Sequence, residues 1–174
     1  MHSWAMMATM RLIHILAGAF LTGTAIFMAG FLVPTLRSIG PAGGPVMQHL
    51  GNVRKLHLYL MTATVLTILT GVGLYSIDSA GFRTDWMRSG PGATFGIGGL
   101  LALIAAGIGM GVNAPTGKKM ADLSAAIGAK GGLPSVDQTA EIQRLQGRLA
   151  AGSRGVAIFL AFAVCAMAVA RYVP

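Results

Sequence analysis

Residues 12–33 read LIHILAGAFLTGTAIFMAGFLV, and these 22 residues include no charged side chain. At about 1.5 Å of rise per residue, an α-helix of this length is about 33 Å long, enough to cross a hydrocarbon core of roughly 30 Å. A cleaved secretory signal has an apolar region of only about 7 to 15 residues. We therefore expect this segment to be a retained membrane-spanning helix.

Three further uncharged runs follow in the chain. They cover residues 56–74, 95–112 and 155–170. The last run is short, but Arg154 and Arg171 bracket it, and their long side chains can extend outward to the lipid head groups, which gives a span over 155–171. Lipid leaves no partner for free backbone polar groups, so such runs form helices. We predict an all-α fold, an antiparallel four-transmembrane-helix bundle that forms one membrane domain over residues 1–174.

The composition agrees with this architecture. Of the 174 residues, 54% are hydrophobic and only 10% are charged, whereas ordinary soluble domains have about 25% charged residues. The single cysteine, Cys165, can form no internal disulfide. A disordered tail, a disulfide scaffold and a usual cytosolic enzyme are thereby excluded.

The basic residues are divided unequally between the two sides of the predicted bundle. Nine lie in or next to the loops that follow the first and third spans, and four lie on the other side. The positive-inside rule then places the first side in the cytoplasm and both termini outside. These basic residues neither cluster in one module nor alternate with aromatic residues, so we expect the lipid bilayer and no nucleic acid as a partner.

The longest loop, residues 113–154, is predicted to lie in the cytoplasm and to hold two amphipathic helices divided at Gly131, Gly132 and Pro134. Its first residues, Asn-Ala-Pro at 113–115, are typical stop signals for the third helix. Ser135 with Gln138 three residues later is the pattern of a capping box. Apolar residues then follow at helical spacing, which predicts a helix that leads into span four.

Few groups within the membrane could perform catalysis. All five acidic residues lie outside the predicted spans, whereas a proton-coupled pump needs carboxylates inside the membrane. The sequence also has no phosphate-binding glycine loop, no pair of cysteines and no HExxH motif. These observations favour a protein that is not an enzyme, and they predict no catalytic residue.

His14 is the main candidate for a site, because an imidazole inside the first span needs a polar partner. Arg11 lies one turn closer to the outer surface on the same helix face. Met167 and Arg171 form a matching pair on span four, a neighbour of span one in an up-down bundle. A b-type haem fits this set, with His14 and Met167 as metal ligands and the two arginines near the propionates.

Two other interpretations of these residues stay open. A Cu(I) site would use the same His and Met ligands, with or without Met10. Alternatively, His14 is structural and hydrogen-bonds to a neighbouring helix backbone or to Asp78, while the two arginines anchor the bundle at the interface. A bis-histidine pair is not available at this depth, since His57 begins span two on the opposite side.

Small residues on spans three and four predict close helix packing. Gly107 and Gly111 form a small-xxx-small pair, and further rows begin at Gly98 on span three and at Ala157 on span four. Such residues allow helix backbones to approach closely in lipid. We expect spans three and four to pack tightly, and the same rows suit contacts with other subunits equally well.

Residues 11–25, RLIHILAGAFLTGTA, resemble the first span of CopD-like integral membrane proteins and of related four-span bacterial proteins of unknown function. The pair Thr70 and Gly71 and the ending MAVARY at 167–172 are similar as well. The resemblance implies a four-span protein of a bacterial-type inner (plasma) membrane. It also implies a link to copper uptake or resistance.

Three functions are therefore expected from the sequence. The first is a non-catalytic subunit or stabilising component of a larger membrane complex, which the small-residue rows and the lack of embedded carboxylates favour. The second is a b-type haem protein that uses His14 for electron transfer. The third is copper handling, as in CopD-like proteins.

Overall fold

The computed structural model of the protein describes residues 4–40, 43–129 and 134–174. Helices make up almost all of these residues, and no strand occurs among them. The α-helices in chain order are α1 Trp4–Phe27, α2 Val33–Ser38, α3 Gly43–Gln48, α4 Leu56–Asp78, α5 Thr84–Met87, α6 Gly90–Ile108, α7 Ala114–Ala129 and α8 Val136–Val169. Wider π-helical turns occupy Met28–Leu32, His49–Val53 and Gly109–Asn113, and a 3₁₀ turn, Ala170–Tyr172, follows α8.

Within the described residues, four continuous helical segments are long and apolar enough to cross a membrane. They are Trp4–Ser38, Leu56–Asp78, Gly90–Ala129 and Val136–Tyr172. Each of them contains one of the four predicted spans. The chain is a multi-pass membrane protein embedded in lipid, and the predicted all-α membrane bundle is confirmed.

Two prolines lie inside these long segments without ending them. Pro34 and Pro115 are each the second residue of an α-helix that follows a π-helical turn, Met28–Leu32 and Gly109–Asn113 respectively. Proline lacks the N–H and its ring presses on the carbonyl four residues earlier, and in both cases that carbonyl lies in the widened turn. The expectation that residues 113–115 stop the third helix was therefore wrong, because the chain continues directly into α7.

The described residues of the predicted loop, 113–129 and 134–154, lie mostly in α7 and in the first part of α8. The side chain of Ser135 accepts a hydrogen bond from the backbone N–H of Gln138 at 3.2 Å, and the Gln138 side chain accepts one from the Ser135 N–H at 2.9 Å. The capping box is thus confirmed. From there α8 runs without interruption into the fourth span, as predicted. The predicted division at 131–132 lies outside the described residues.

The helices pair in a definite pattern. α6 packs most extensively on α8, α1 packs on α4, and α1 also contacts α8. A Cβ atom built on Gly98 would lie 2.9 Å from Cγ of Met167 and 3.2 Å from the carbonyl oxygen of Ala163, so glycine is required for this approach. Tight packing of the third and fourth spans is confirmed.

The buried positions between the helices carry small side chains. Among the described residues, the buried apolar positions are Ala63, Ala105, Leu145, Ala150, Ala157, Ala163 and Ala170. Large apolar side chains such as Leu69, Phe31 and Phe162 are more than half exposed on the outside of the bundle. This distribution suits a bilayer, where apolar side chains can face lipid and small ones let helix backbones approach.

Candidate functional site

His14 faces α4. Its Nδ1 lies 2.9 Å from the carbonyl oxygen of Thr67 and 3.3 Å from Oγ1 of Thr70. A carbonyl oxygen can only accept, so this contact assigns the proton to Nδ1. The Thr70 hydroxyl donates to the carbonyl of Leu66 at 2.5 Å, which leaves its oxygen free to accept as well. In the neutral ring, Nε2 then carries the lone pair.

Glycines on α4 make room for the side chains of α1. A Cβ atom built on Gly71 would lie 3.2 Å from Nδ1 of His14 and 2.8 Å from Cε1, and the second distance is shorter than real Cβ contacts allow. Gly73 similarly receives the terminal methyl group of Met10. The imidazole therefore lies against the backbone of α4, with Cε1 nearest to Gly71 and Nδ1 toward the threonines.

Arg11 lies one turn above His14 and pairs with Asp78, the last residue of α4. Its Nη2 is 3.5 Å from Oδ1 of Asp78, and the two side chains are 39% and 31% exposed. A partly exposed pair of this length contributes at most about 1 kcal/mol to stability. Arg11, which was predicted to lie near a haem propionate, thus already has a carboxylate partner. Asp78 is paired with Arg11 instead of with His14.

Met167 and Arg171 lie at the end of the fourth membrane-spanning segment. Met167 is half-buried and packs on Gly98 of α6, where its Cε would be 3.4 Å from a Cβ on that glycine. Arg171 is exposed in the 3₁₀ turn after α8. The two predicted ligands, His14 and Met167, therefore contact different helices. In the described part of the chain, no group of three or more His, Cys, Asp or Glu side chains is arranged to hold a metal ion.

The sequence did not identify Thr67 and Thr70 as partners of His14. Together with Gly71 they occupy positions i, i+3 and i+4 of α4, so they share one helix face. That spacing was a usable signal for a small, polar face within an apolar span. The hydroxyl oxygen of Thr67 itself is buried and has no hydrogen-bond partner in the described structure.

Comparison of the chain with protein-family models, with curated proteins and with solved structures finds no match. The likeness of residues 11–25 to CopD-like proteins stays a prediction on that account.

Proposed function

We propose that the chain is a non-catalytic subunit or stabilising component of a larger membrane complex. The observation that carries this proposal is an open glycine face on the third segment, formed by Leu103, Gly107, Met110 and Gly111. All four residues are exposed, and a Cβ atom on either glycine would meet nothing within 4 Å. Gly98 packs on α8 within the chain, whereas no described residue lies within 4 Å of a Cβ built on either glycine of this open face.

An open face of this kind suits a partner helix. Glycines leave a shallow notch between larger side chains, in which the backbone of a second transmembrane helix can approach closely and gain dispersion contacts. Lipid chains gain less, because they are mobile and do not match the notch. The partner we infer is therefore a membrane-spanning helix of another subunit.

The use of His14 supports the same conclusion. Its hydrogen bond to Thr67 and its contact with Gly71 join α1 to α4, which is a structural role. Met167 similarly joins α8 to α6 through Gly98. Both residues that the sequence offers as ligands thus take part in helix packing.

We further propose a bacterial-type inner membrane as the location, with both termini outside the cytoplasm and no nucleic-acid partner. The guanidinium of Arg37 donates to the carbonyl oxygen of Gln146, so the chain after span one and the chain before span four meet at one end of the bundle. The basic residues of both loops therefore lie on one side. This supports the orientation derived from the positive-inside rule.

The size of the native complex tests the proposed function. The chain, at its native expression level, is extracted in mild detergent and its complex is sized by native electrophoresis. Gly107→Leu and Gly111→Leu should release the 17.9 kDa chain from the larger species, whereas Gly23→Leu, at an exposed and open glycine of α1, should not. Glycine to leucine raises helix propensity by up to about 1 kcal/mol, so unfolding would not explain release. A wild-type chain that migrates alone would contradict the proposal.

A haem-binding electron-transfer protein is the second candidate, and the tautomer of His14 favours it. Metal-ligating histidines usually donate their other ring N–H to a carbonyl or carboxylate, and the Thr67 carbonyl oxygen accepts from Nδ1 in this way. Nε2 would then be the ligand. Copper handling would use the same nitrogen with Met10, one turn away. Two measurements on protein purified with haem and copper supplied separate the three functions. An absorption spectrum detects bound haem, and a copper determination detects bound copper.

A further inference from the structure

A groove of about 710 Å³ runs between α1 and α4. Its walls are apolar, and the large side chains Leu16 and Phe20 from α1 and Leu58 and Leu66 from α4 line it while remaining 40% or more exposed. These residues belong to two membrane-spanning segments. The groove therefore faces the hydrocarbon region, and an extended apolar chain matches its walls.

Two cations close one end of the groove. Arg54 and Lys55 line it where α4 begins, and both are exposed. Neither side chain forms an ion pair or a hydrogen bond within the described residues, and no acidic residue lines the groove. The apolar groove thus ends in two unneutralised positive charges.

The start of α4 adds to this positive end. Lys55 precedes the helix with φ 51° and ψ 37°, in the left-handed region, and provides no side-chain cap. The first turn of the helix also contains no acidic residue. The N-terminus of this 23-residue helix, which carries the positive end of the helix dipole, therefore lies next to the two cations.

We propose that this groove binds an anionic phospholipid, with one acyl chain along α1 and α4 and its phosphate at Arg54 and Lys55. The combination of an apolar groove with a positive end at the edge of a span matches a lipid with a negatively charged head group. A zwitterionic lipid carries its own positive charge in the head group. Its attraction to the positive end of the groove is therefore weaker. The groove and the open glycine face lie on different segments, so the proposal is independent of the proposed function.

A second copy of the chain fits the groove less well. Docked there, it would have to bring acidic side chains to Arg54 and Lys55. The chain has only five acidic residues, and Asp78, Asp85 and Glu141 already pair with arginines. Bulky groove walls also differ from the small residues that membrane helices use for close packing.

Lipid binding to the delipidated full chain tests the proposal. Protein in detergent is titrated with phosphatidylglycerol or with phosphatidylcholine of the same acyl chains, and bound lipid is counted by native mass spectrometry. We expect one phosphatidylglycerol molecule to bind in preference. Arg54→Gln with Lys55→Gln should weaken it by about fivefold per cation removed, whereas Lys118→Gln with Lys119→Gln, an adjacent exposed pair on α7 outside the groove, should leave it unchanged.

Two further variants keep the test decisive. Ala17→Phe, which places a ring in the groove, should weaken the binding of both lipids. The charge-preserving pair Arg54→Lys with Lys55→Arg should retain the preference for phosphatidylglycerol, even if the neutral pair fails to fold. Equal losses in the groove and control pairs, or no preference for phosphatidylglycerol, would overturn the proposal. So would a dimer of the chain that protects the groove from lipid.

Discussion

The imidazole of His14 donates its Nδ1–H to the carbonyl oxygen of Thr67, 2.9 Å away on the antiparallel neighbour. The two residues are 53 positions apart in the chain. The acceptor belongs to the α4 backbone, whose carbonyls already accept hydrogen bonds within the helix, so the ring uses its second lone pair. The Nδ1–H of the one histidine in the first span thus has an acceptor within the bundle.

Replacing His14 with alanine should loosen the bundle only modestly. The variant loses one intramembrane hydrogen bond, and such bonds contribute about 0.6 kcal/mol on average and up to about 1.7. His57→Ala, at an exposed position near the start of α4, is the control and should change stability less. Reversible unfolding in mixed micelles measures both. If wild-type protein shows a Soret band that His14→Ala alone abolishes, the haem function replaces the structural one.

Gly71→Ala should destabilise the protein more than His14→Ala does. The added methyl group would lie 2.8 Å from Cε1 of His14, and overpacking of this kind costs about 1 to 3 kcal/mol. Gly23→Ala, where a Cβ meets nothing within 4 Å, should instead be neutral or stabilising by up to about 1 kcal/mol.

The double variant His14→Ala with Gly71→Ala identifies the cause. Removing the ring removes the clash, so the two losses should not add, and the coupling should be favourable by at least about 0.5 kcal/mol. Additive losses in unfolding free energy would show that the ring does not lie against Gly71.

The contact between His14 and α4 illustrates which features the sequence could predict and which it could not. The capping box at Ser135 and the apolar runs are local patterns, and a helix in lipid follows from them with little help from distant residues. The partner of His14 depends on how α1 is rotated about its axis. Arg11 and His14 mark one polar face of that helix, but nothing local in the sequence identifies which of the other spans meets that face. The prediction that Pro115 helps to end the third helix was wrong for a different reason. The preceding turn is a π-helical turn, Gly109–Asn113, and the helix continues through the proline.

Acid should weaken the ion pair in the first part of α8, before the predicted span. Arg144 donates two hydrogen bonds of 2.8 Å to the carboxylate of Glu141. These bonds, followed by the positive charges of Arg144 and Lys119, lower the pKa of Glu141 below its ordinary value of 4.5. The stabilisation is therefore present above the unfolded-state pKa and is lost as the pH falls through the lower folded-state pKa.

A side-chain NMR titration of Glu141 measures this effect. Arg144→Gln should return the pKa of Glu141 toward 4.5, because it removes both hydrogen bonds and the nearest charge. Arg148→Gln, one turn further along the same exposed helix surface, should leave the titration in place. An equal change in the two variants would mean that general charge, and not the paired geometry, sets the pKa.

Cysteine accessibility should reveal the orientation of the bundle. With Cys165 replaced by alanine, Thr84→Cys at the exposed start of α5 and Ala125→Cys on exposed α7 lie at opposite ends of the spans. The nine-to-four division of basic residues predicts that α7 lies in the cytoplasm. An impermeant maleimide should therefore label Thr84→Cys in intact cells, and Ala125→Cys only after permeabilisation. The reverse pattern would invert the orientation, and it would move the positive end of the groove to the outer leaflet.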